Sequence, residues 1–347
     1  MQDTRIILKN REKTATKDRY IEFDFLKFFA IFLVIWGHGI MHLSDADKNS
    51  NFLYQFIYSF HMPLFMMMAG YFSKNSLTLP FKTIIKKKFR QLIYPCLTFG
   101  ILFFILEIVA YQKDYREFYH YLYEGFWFLK SCFLCYLVLY ICIKTLRNNQ
   151  NAGIILALII SQALPFFKLT WMLPFFVFGL ILNCNWDYFF RNKKFIFIAG
   201  SILYIITFYI YLSLPPIDLK NIKGELLNSN YEFVSDYIRY HLTRLIVGVA
   251  GSIAFLSAII LIASKIRNNK LLLYFSNYGR FTLEIYILQT LILEIILSRS
   301  INLGGINQYL FNFLIIPSIS FMVLFICFLI INLINKKPII RQLLWGN

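Results

Sequence analysis

The fold class of this protein follows from residues 20–43, which read YIEFDFLKFFAIFLVIWGHGIMHL. A segment this long with so few charges can cross a bilayer as an α-helix, which needs about 20 mostly apolar residues. Similar segments recur along the 347-residue chain, of which 59% is hydrophobic and only 15% charged. Soluble domains have roughly 45–50% apolar and 25% charged residues. The composition therefore excludes a water-soluble enzyme and predicts a surface solvated by lipid.

The apolar segments predict an all-α, polytopic integral membrane protein with about ten transmembrane helices. The predicted spans are residues 24–43, 52–72, 90–111, 126–143, 152–167, 170–184, 195–214, 242–264, 281–298 and 309–334. Because the number of spans is even, we expect both termini on the same side of the membrane. The connecting segments leave no room for a separate soluble domain.

The distribution of positive charge predicts that this side is the cytoplasm. With the N-terminus inside, 25 of the 35 Lys and Arg residues lie in cytoplasmic segments, as the positive-inside rule requires. The net charge of +17 thus reflects topology, and nucleic acid is not an expected partner. We expect a cytoplasmic tail over residues 1–20, a transmembrane domain over 21–335 and a second cytoplasmic tail over 336–347, in the plasma (inner) membrane.

Ionisable residues at membrane depth are costly, so each of them needs a partner or a function. Lys27 and His38 share one face of the first predicted helix, about 16 Å apart along its axis. Asp24 is spaced to pair with Lys27. A histidine in a hydrated cavity suits general-base catalysis, whereas the structural alternative is a neutral His38 bonded between helices. His61, two residues before Pro63, is either catalytic or satisfies a carbonyl group that the proline frees.

A run of cations lies at the start of the third predicted span. We define the basic cluster as Lys86, Lys87, Lys88 and Arg90. Such a cluster can bind the phosphate groups of an anionic cofactor. The alternative is that it only enforces topology and contacts anionic lipid.

Further charges lie in or beside other predicted spans. Glu284 follows Arg280 by four residues, which permits an ion pair near a cytoplasmic helix end. For Glu107, Lys130 and Glu294, which lie within spans, structural pairing is the better interpretation. The six cysteines lie in or beside apolar segments, so neither a disulfide framework nor a metal site is expected.

A series of motifs runs from residue 20 to about residue 335. In order, it comprises Lys27-x10-His38, Phe60-His61-Met62-Pro63-Leu64-Phe65, the basic cluster with Leu92-Ile93-Tyr94-Pro95, Phe126-Trp127-Phe128-Leu129, Leu173-Pro174-Phe175-Phe176-Val177-Phe178-Gly179, and Tyr278-Gly279-Arg280 with Leu283-Glu284-Ile285-Tyr286. This series resembles the membrane acyltransferase 3 family. The first two motifs are the most specific ones.

The resemblance implies a ten-helix membrane enzyme that moves an acyl group, usually acetyl from cytoplasmic acetyl-CoA, to a hydroxyl group of a surface carbohydrate or lipid-linked glycan. Under it, His38 is the candidate general base or acyl-accepting residue. The other catalytic candidates are Asp24, Lys27, His61 and Glu284, and the candidate donor-binding residues are the basic cluster and Arg280. Acyl-CoA is then a substrate, and no permanently bound cofactor or metal is expected.

The chain departs from the family pattern at two places. Gln289 stands where members often carry His, so essential proton transfer is not expected at this position. The basic cluster replaces an Arg-x-x-Arg element, which leaves the phosphate-binding pair open. Two other classes of function also stay open: a transporter or channel for a glycan-related solute, and a non-catalytic membrane partner.

Overall fold

The computed structural model describes residues 21–44, 47–112, 123–146, 149–164, 166–214, 231–266 and 269–346. Within these ranges the chain forms helices and no β-strand, which confirms the predicted all-α class. The predicted N-terminal tail, residues 1–20, and residues 215–230 lie outside the described residues.

Eleven helices of eight or more residues build the described part of the molecule. They are α1 (Ile21–His42), α2 (Phe52–Tyr71), α3 (Phe81–Tyr111), α4 (Trp127–Thr145), α5 (Gln150–Ala163), α6 (Leu169–Cys184), α7 (Lys193–Ser213), α8 (Tyr231–Lys265), α9 (Lys270–Ser300), α10 (Gln308–Asn335) and α11 (Pro338–Trp345).

Eight of these helices are long and apolar enough to cross a membrane, so the chain is a multi-pass membrane protein. Two more, α2 and the 14-residue α5, lie where the second and fifth spans were predicted. The total of ten spans and the cytoplasmic placement of both termini stay predictions. The C-terminal segment forms α11, which packs on α3: the Thr98 hydroxyl donates to the Leu344 carbonyl oxygen at 2.9 Å.

Asparagine side chains cap the start of four of the helices. The Asn51 side chain accepts from the Tyr54 amide before α2, and Asn149 accepts from Ala152 before α5. Asn269 accepts from Leu271 before α9, and Asn307 accepts from Tyr309 before α10. Each bond satisfies one of the amide groups that have no partner in the first helical turn. The polar breaks between the apolar segments thus fix where these helices start.

Glycines allow the central helices to approach at backbone distance. A Cβ atom at Gly70 on α2 would lie 1.9 Å from the Phe176 carbonyl oxygen on α6, and one at Gly179 would lie 1.9 Å from the Met67 carbonyl oxygen. Small residues serve this purpose in membrane helix pairs, where close packing drives association. The stretch Leu173–Gly179 therefore contributes packing between α2 and α6.

Another glycine joins α9 to α1. A Cβ atom at Gly279 would lie 1.7 Å from the Asp24 carbonyl oxygen, so the two backbones touch at this point. Farther along α9, residues Thr290–Leu297 are π-helical. Such stretches are rare and often lie at functional sites, because they change which side chains face a neighbouring helix. Here the stretch carries Glu294.

Candidate active site

Two rows of side chains face each other between α1 and α9. The α1 row is Lys27, Ile31, Val34 and His38, and the α9 row is Tyr286, Thr290 and Glu294. Both rows follow the spacing of three or four residues that keeps side chains on one helix face. Contacts at Gly279 with Asp24 and at Glu294 with His38 show that the two helices run in the same direction.

A histidine and a carboxylate meet at the end of these rows that lies away from Lys27. The His38 Nδ1 atom lies 2.6 Å from Glu294 Oε1, and His42 Nε2 lies 4.0 Å from Glu294 Oε2. The side chains of His38 and Glu294 are 19% and 26% exposed, so the pair is not sealed inside the protein. A carboxylate on Nδ1 fixes the orientation of an imidazole and leaves Nε2 to exchange a proton with a substrate.

Neighbouring polar groups on α9 hold the carboxylate in place. The Thr290 hydroxyl donates to Glu294 Oε1 at 3.3 Å, and the Gln289 amide nitrogen donates to the Thr290 hydroxyl at 3.1 Å. Gln289 itself is fully buried. The residue that departs from the family pattern therefore lies two hydrogen bonds away from the Glu294 carboxylate.

A cavity of about 300 Å³ leads toward this pair. Its α1 wall is formed by Lys27, Ile31 and Val34, and Tyr286 of α9 also lines it. Val34 lies one helical turn before His38, so the lining residues stop one turn short of the histidine. The cavity thus extends from a cationic end to within about one helical turn of His38.

Two cations line the other end of the cavity. Lys27 Nζ lies 3.5 Å from Asp24 Oδ1 and 5.0 Å from the centre of the Phe72 ring. Lys88 is buried, with its Nζ 3.9 Å from the centre of the Tyr136 ring. These two ammonium groups can bind an anion that enters the cavity.

The structure divides the basic cluster into separate groups. Only Lys88 lines the cavity, whereas Lys86 and Arg90 line a surface groove together with Lys82. Lys87 is exposed and lines neither. Successive residues of a helix point about 100° apart, so a run of cations cannot face one cavity.

The remaining catalytic candidates lie apart from the pair. His61 is buried, and its Nδ1 lies 2.7 Å from the Ile57 carbonyl oxygen in its own helix. Glu284 and Arg280, both described, do not form an ion pair. The helix narrows to a 3₁₀ turn at Gly279–Phe281, which alters the four-residue spacing between them. Arg280 is exposed at the surface.

The His38–Glu294 pair and the neighbouring His42 together offer three side chains that could bind a metal ion. One potential ligand atom from each of them lies within 4.8 Å of the other two. Ligands at about 2.0 Å from a tetrahedral zinc ion lie roughly 3.3 Å apart. The observed 2.6 Å between His38 Nδ1 and Glu294 Oε1 is shorter than this spacing.

Sequence reasoning gave Glu294 only a structural role, alongside Glu107 and Lys130. Structural partners do hold the latter two: Glu107 pairs with Arg299 at 2.6 Å, and the Lys130 ammonium donates to the Tyr123 carbonyl oxygen at 3.0 Å. One signal could have singled out Glu294. Glu294 is the fourteenth residue of its predicted span, and His38 is the fifteenth residue of its own. Because the two spans are predicted to cross the membrane in the same direction, both residues are expected at about the same depth.

Comparisons with known proteins identify the family of the chain. The family model described as "Acyltransferase domain" matches residues 20–332. Nodulation protein NolL of Mesorhizobium japonicum is 29% identical over 185 residues, which cover 48% of this chain and 48% of that protein. Nodulation protein NolL of Sinorhizobium fredii is 32% identical over 102 residues, 28% of each chain. The matches thus span about half or less of these relatives, and no solved structure matches.

Proposed function

Because this chain belongs to the acyltransferase family whose domain model it matches over residues 20–332, we propose that it is a membrane O-acyltransferase acting on a glycan. The family membership that the motifs predicted is confirmed. In our proposal the donor is acyl-CoA, above all acetyl-CoA, and the acceptor is a hydroxyl group of a cell-surface or lipid-linked glycan. The inner (plasma) membrane is its proposed location.

One observation carries the proposal: the 2.6 Å contact between His38 and Glu294 lies one turn beyond a cavity with two cations at its other end. Acyl transfer from a thioester needs an anion-binding entry for the donor and a base at the reacting carbon. A transporter can use an anion-binding entry, but it needs no base at a reacting carbon. This combination favours the enzyme over the transporter.

In the proposed reaction, His38 Nε2 takes the proton of the acceptor hydroxyl group while the hydroxyl oxygen attacks the thioester carbonyl carbon. The new C–O bond forms, the C–S bond breaks, and the proton passes from His38 to the leaving thiolate of CoA. Glu294 accepts from Nδ1–H throughout and stabilises the imidazolium that forms transiently. Such a positioned base typically accelerates a reaction about 10²–10⁴-fold.

The donor is held by its phosphate groups in this proposal. Lys27 and Lys88 both line the cavity, and burial of Lys88 strengthens its attraction for an anion. The pantetheine arm would then lie along Ile31 and Val34, with the thioester next to His38. With the first residues of α1 in the cytoplasm, the donor enters from the cytoplasm and the acceptor from the opposite face.

The test uses membranes from cells that express the full chain and radiolabelled acetyl-CoA. We expect label in the glycan fraction with the wild type and with His42→Gln, and none with His38→Gln. The His42 variant is the matched control, since its ring lies 4.0 Å from the same carboxylate. Equal labelling by His38→Gln and wild type, or solute flux in proteoliposomes without acetyl transfer, would contradict the proposal.

A further inference from the structure

Arg244 lies in the outer part of α8, on the side of the membrane opposite to the predicted cytoplasmic face. It is the third residue of the span predicted at residues 242–264, and its side chain is half-buried. A permanent charge that is partly buried beside an apolar segment needs a partner or a function. The proposed donor site does not account for Arg244, because Lys27 and Lys88 lie near the predicted cytoplasmic ends of their helices.

The guanidinium group is held by an aromatic ring. Its Cζ atom lies 4.6 Å from the centre of the buried Trp171 ring, and the His241 ring lies 4.0 Å from the same indole. Among the described residues, no carboxylate forms an ion pair with Arg244, although Glu107 and Glu294 both have cationic or histidine partners. Stacking on a ring occupies one face of the guanidinium and leaves its edge N–H donors available for an oxyanion.

Helix α2 packs against both the Arg244 helix and the His38 helix. Gly248, one turn further along α8, lies next to α6 and α2, because a Cβ atom there would lie 2.8 Å from Phe175 Cζ and 3.0 Å from Pro63 Cγ. Gly37, next to His38, packs on the other side of α2, with Tyr58 Cε2 at 2.7 Å from a Cβ atom. The two sites therefore lie about one to two helix spacings apart, and helices pack about 8–10 Å from each other.

Tyrosines of α2 lie beside the end of α1 that carries the histidines. The Tyr54 hydroxyl lies 3.7 Å from Met41 Sδ, beside His42, and the Tyr54 and Tyr58 rings stack with their centres 4.0 Å apart. Aromatic rings that carry hydroxyl groups combine an apolar face with a polar edge, which suits contact with a carbohydrate.

We propose that Arg244, seated on Trp171, binds an acidic group of the acceptor while a hydroxyl group of the same acceptor reaches His38. The ligand chemistry is an oxyanion, either the carboxylate of an acidic sugar or the phosphate of a lipid carrier. This inference rests on the proposed function, which it deepens by naming the class of acceptor.

The experiment measures binding to the purified full-length protein in detergent by calorimetry, without any acyl donor. The probes are methyl glucuronide, the neutral methyl glucoside of the same shape, and farnesyl phosphate. We expect one of the two anionic probes to bind the wild type at least tenfold more tightly than methyl glucoside does, and the tighter one identifies the source of the oxyanion. In Arg244→Gln this preference should disappear while weak binding of methyl glucoside persists.

Two variants keep the result interpretable. Arg239→Gln removes an exposed cation five residues earlier on α8 and should leave binding of the anionic probe unchanged. Arg244→Lys keeps the charge but loses the planar group that stacks on Trp171, and should weaken binding of the anionic probe severalfold in a protein that still folds. Unchanged preference for the anionic probe in both Arg244 variants would overturn the proposal, as would an equal preference for all probes in the wild type.

Failure of this inference differs from failure of the proposed function. Probe binding needs no acyl transfer, so Arg244-dependent binding in a chain that transfers no acetyl group would refute only the reaction. Acetyl transfer to a glycan that Arg244→Gln leaves unchanged would refute only the acceptor site.

Discussion

Helix α9 takes part in two contacts between a glutamate and a basic side chain, one through Glu294 and the other through Arg299, five residues further on. The two contacts differ in their geometry and burial. Arg299 meets Glu107 of α3 with two contacts of 2.6 and 2.7 Å, and the Glu107 side chain is fully buried. Glu294 meets His38 of α1 with one contact of 2.6 Å, and both side chains are partly exposed. The Arg299 contact joins two permanent charges, whereas the Glu294 contact includes an imidazole, a side chain that can act as a proton acceptor or donor.

The difference separates a structural contact from a chemical one. A bidentate arginine–carboxylate pair with both oxygens occupied leaves nothing for a substrate to use. The imidazole of His38 keeps a second nitrogen and lies about one helical turn beyond the cavity. A charged side chain at membrane depth therefore does not identify an active site by itself. A side chain that can exchange a proton and lies close to a cavity does.

The largest expected effect is on activity at the His38–Glu294 contact. His38→Gln should lower kcat for acetyl transfer about 10²–10⁴-fold, because it removes the base while keeping a polar side chain. The thermal midpoint in detergent should stay close to that of the wild type, since His38 is partly exposed. Rate and thermal stability are measured on the same preparation, and a parallel loss of both would assign His38 to packing.

The second prediction concerns stability at the Glu107–Arg299 contact. Glu107→Gln should lower the free energy of unfolding by about 3 kcal/mol, the lower end of the range for broken buried pairs, because Arg299 retains some solvent contact. Glu294→Gln should cost less, since it leaves a histidine that can be neutral. Denaturant titration in detergent compares the two variants. Equal destabilisation would remove the distinction between the two contacts.

A smaller effect is expected at the donor end of the cavity. Lys88→Gln should raise KM for acetyl-CoA about tenfold and reduce its dependence on salt, because the lost attraction for phosphate is electrostatic. Lys87→Gln, the exposed neighbour outside the cavity, should change KM little. If the two variants had the same KM, the cavity would not be the donor site.

The smallest effect is expected from metal removal. The hydrogen-bond distance between His38 and Glu294 predicts that EDTA leaves acetyl transfer unchanged, whereas added Zn²⁺ inhibits it by occupying His38, His42 and Glu294. Transfer rates with each addition provide the measurement. Loss of activity in EDTA, restored by Zn²⁺, would show a metal enzyme instead.

The sequence alone predicted several residues of the site, but it did not predict which of them contact each other. The Lys27-x10-His38 spacing placed both residues on one face of one helix, because helical geometry is local. Glu294 lies 256 residues after His38, so spacing carries no information about their contact. The basic cluster shows the same limit, since only the fold decides that Lys88 lines the cavity and Lys86 does not.

The sequence by itself determined the class of the molecule, its apolar helices and the family to which it belongs. These follow from composition and from local patterns, since lipid solvation requires long apolar helices whatever their arrangement. Only the tertiary structure decided which charges meet. Glu107, Glu294 and Arg244 are all polar residues near apolar segments, and helix packing gave them a cation, a histidine and an indole ring as neighbours. Their chemistry differs because those neighbours come from distant parts of the chain.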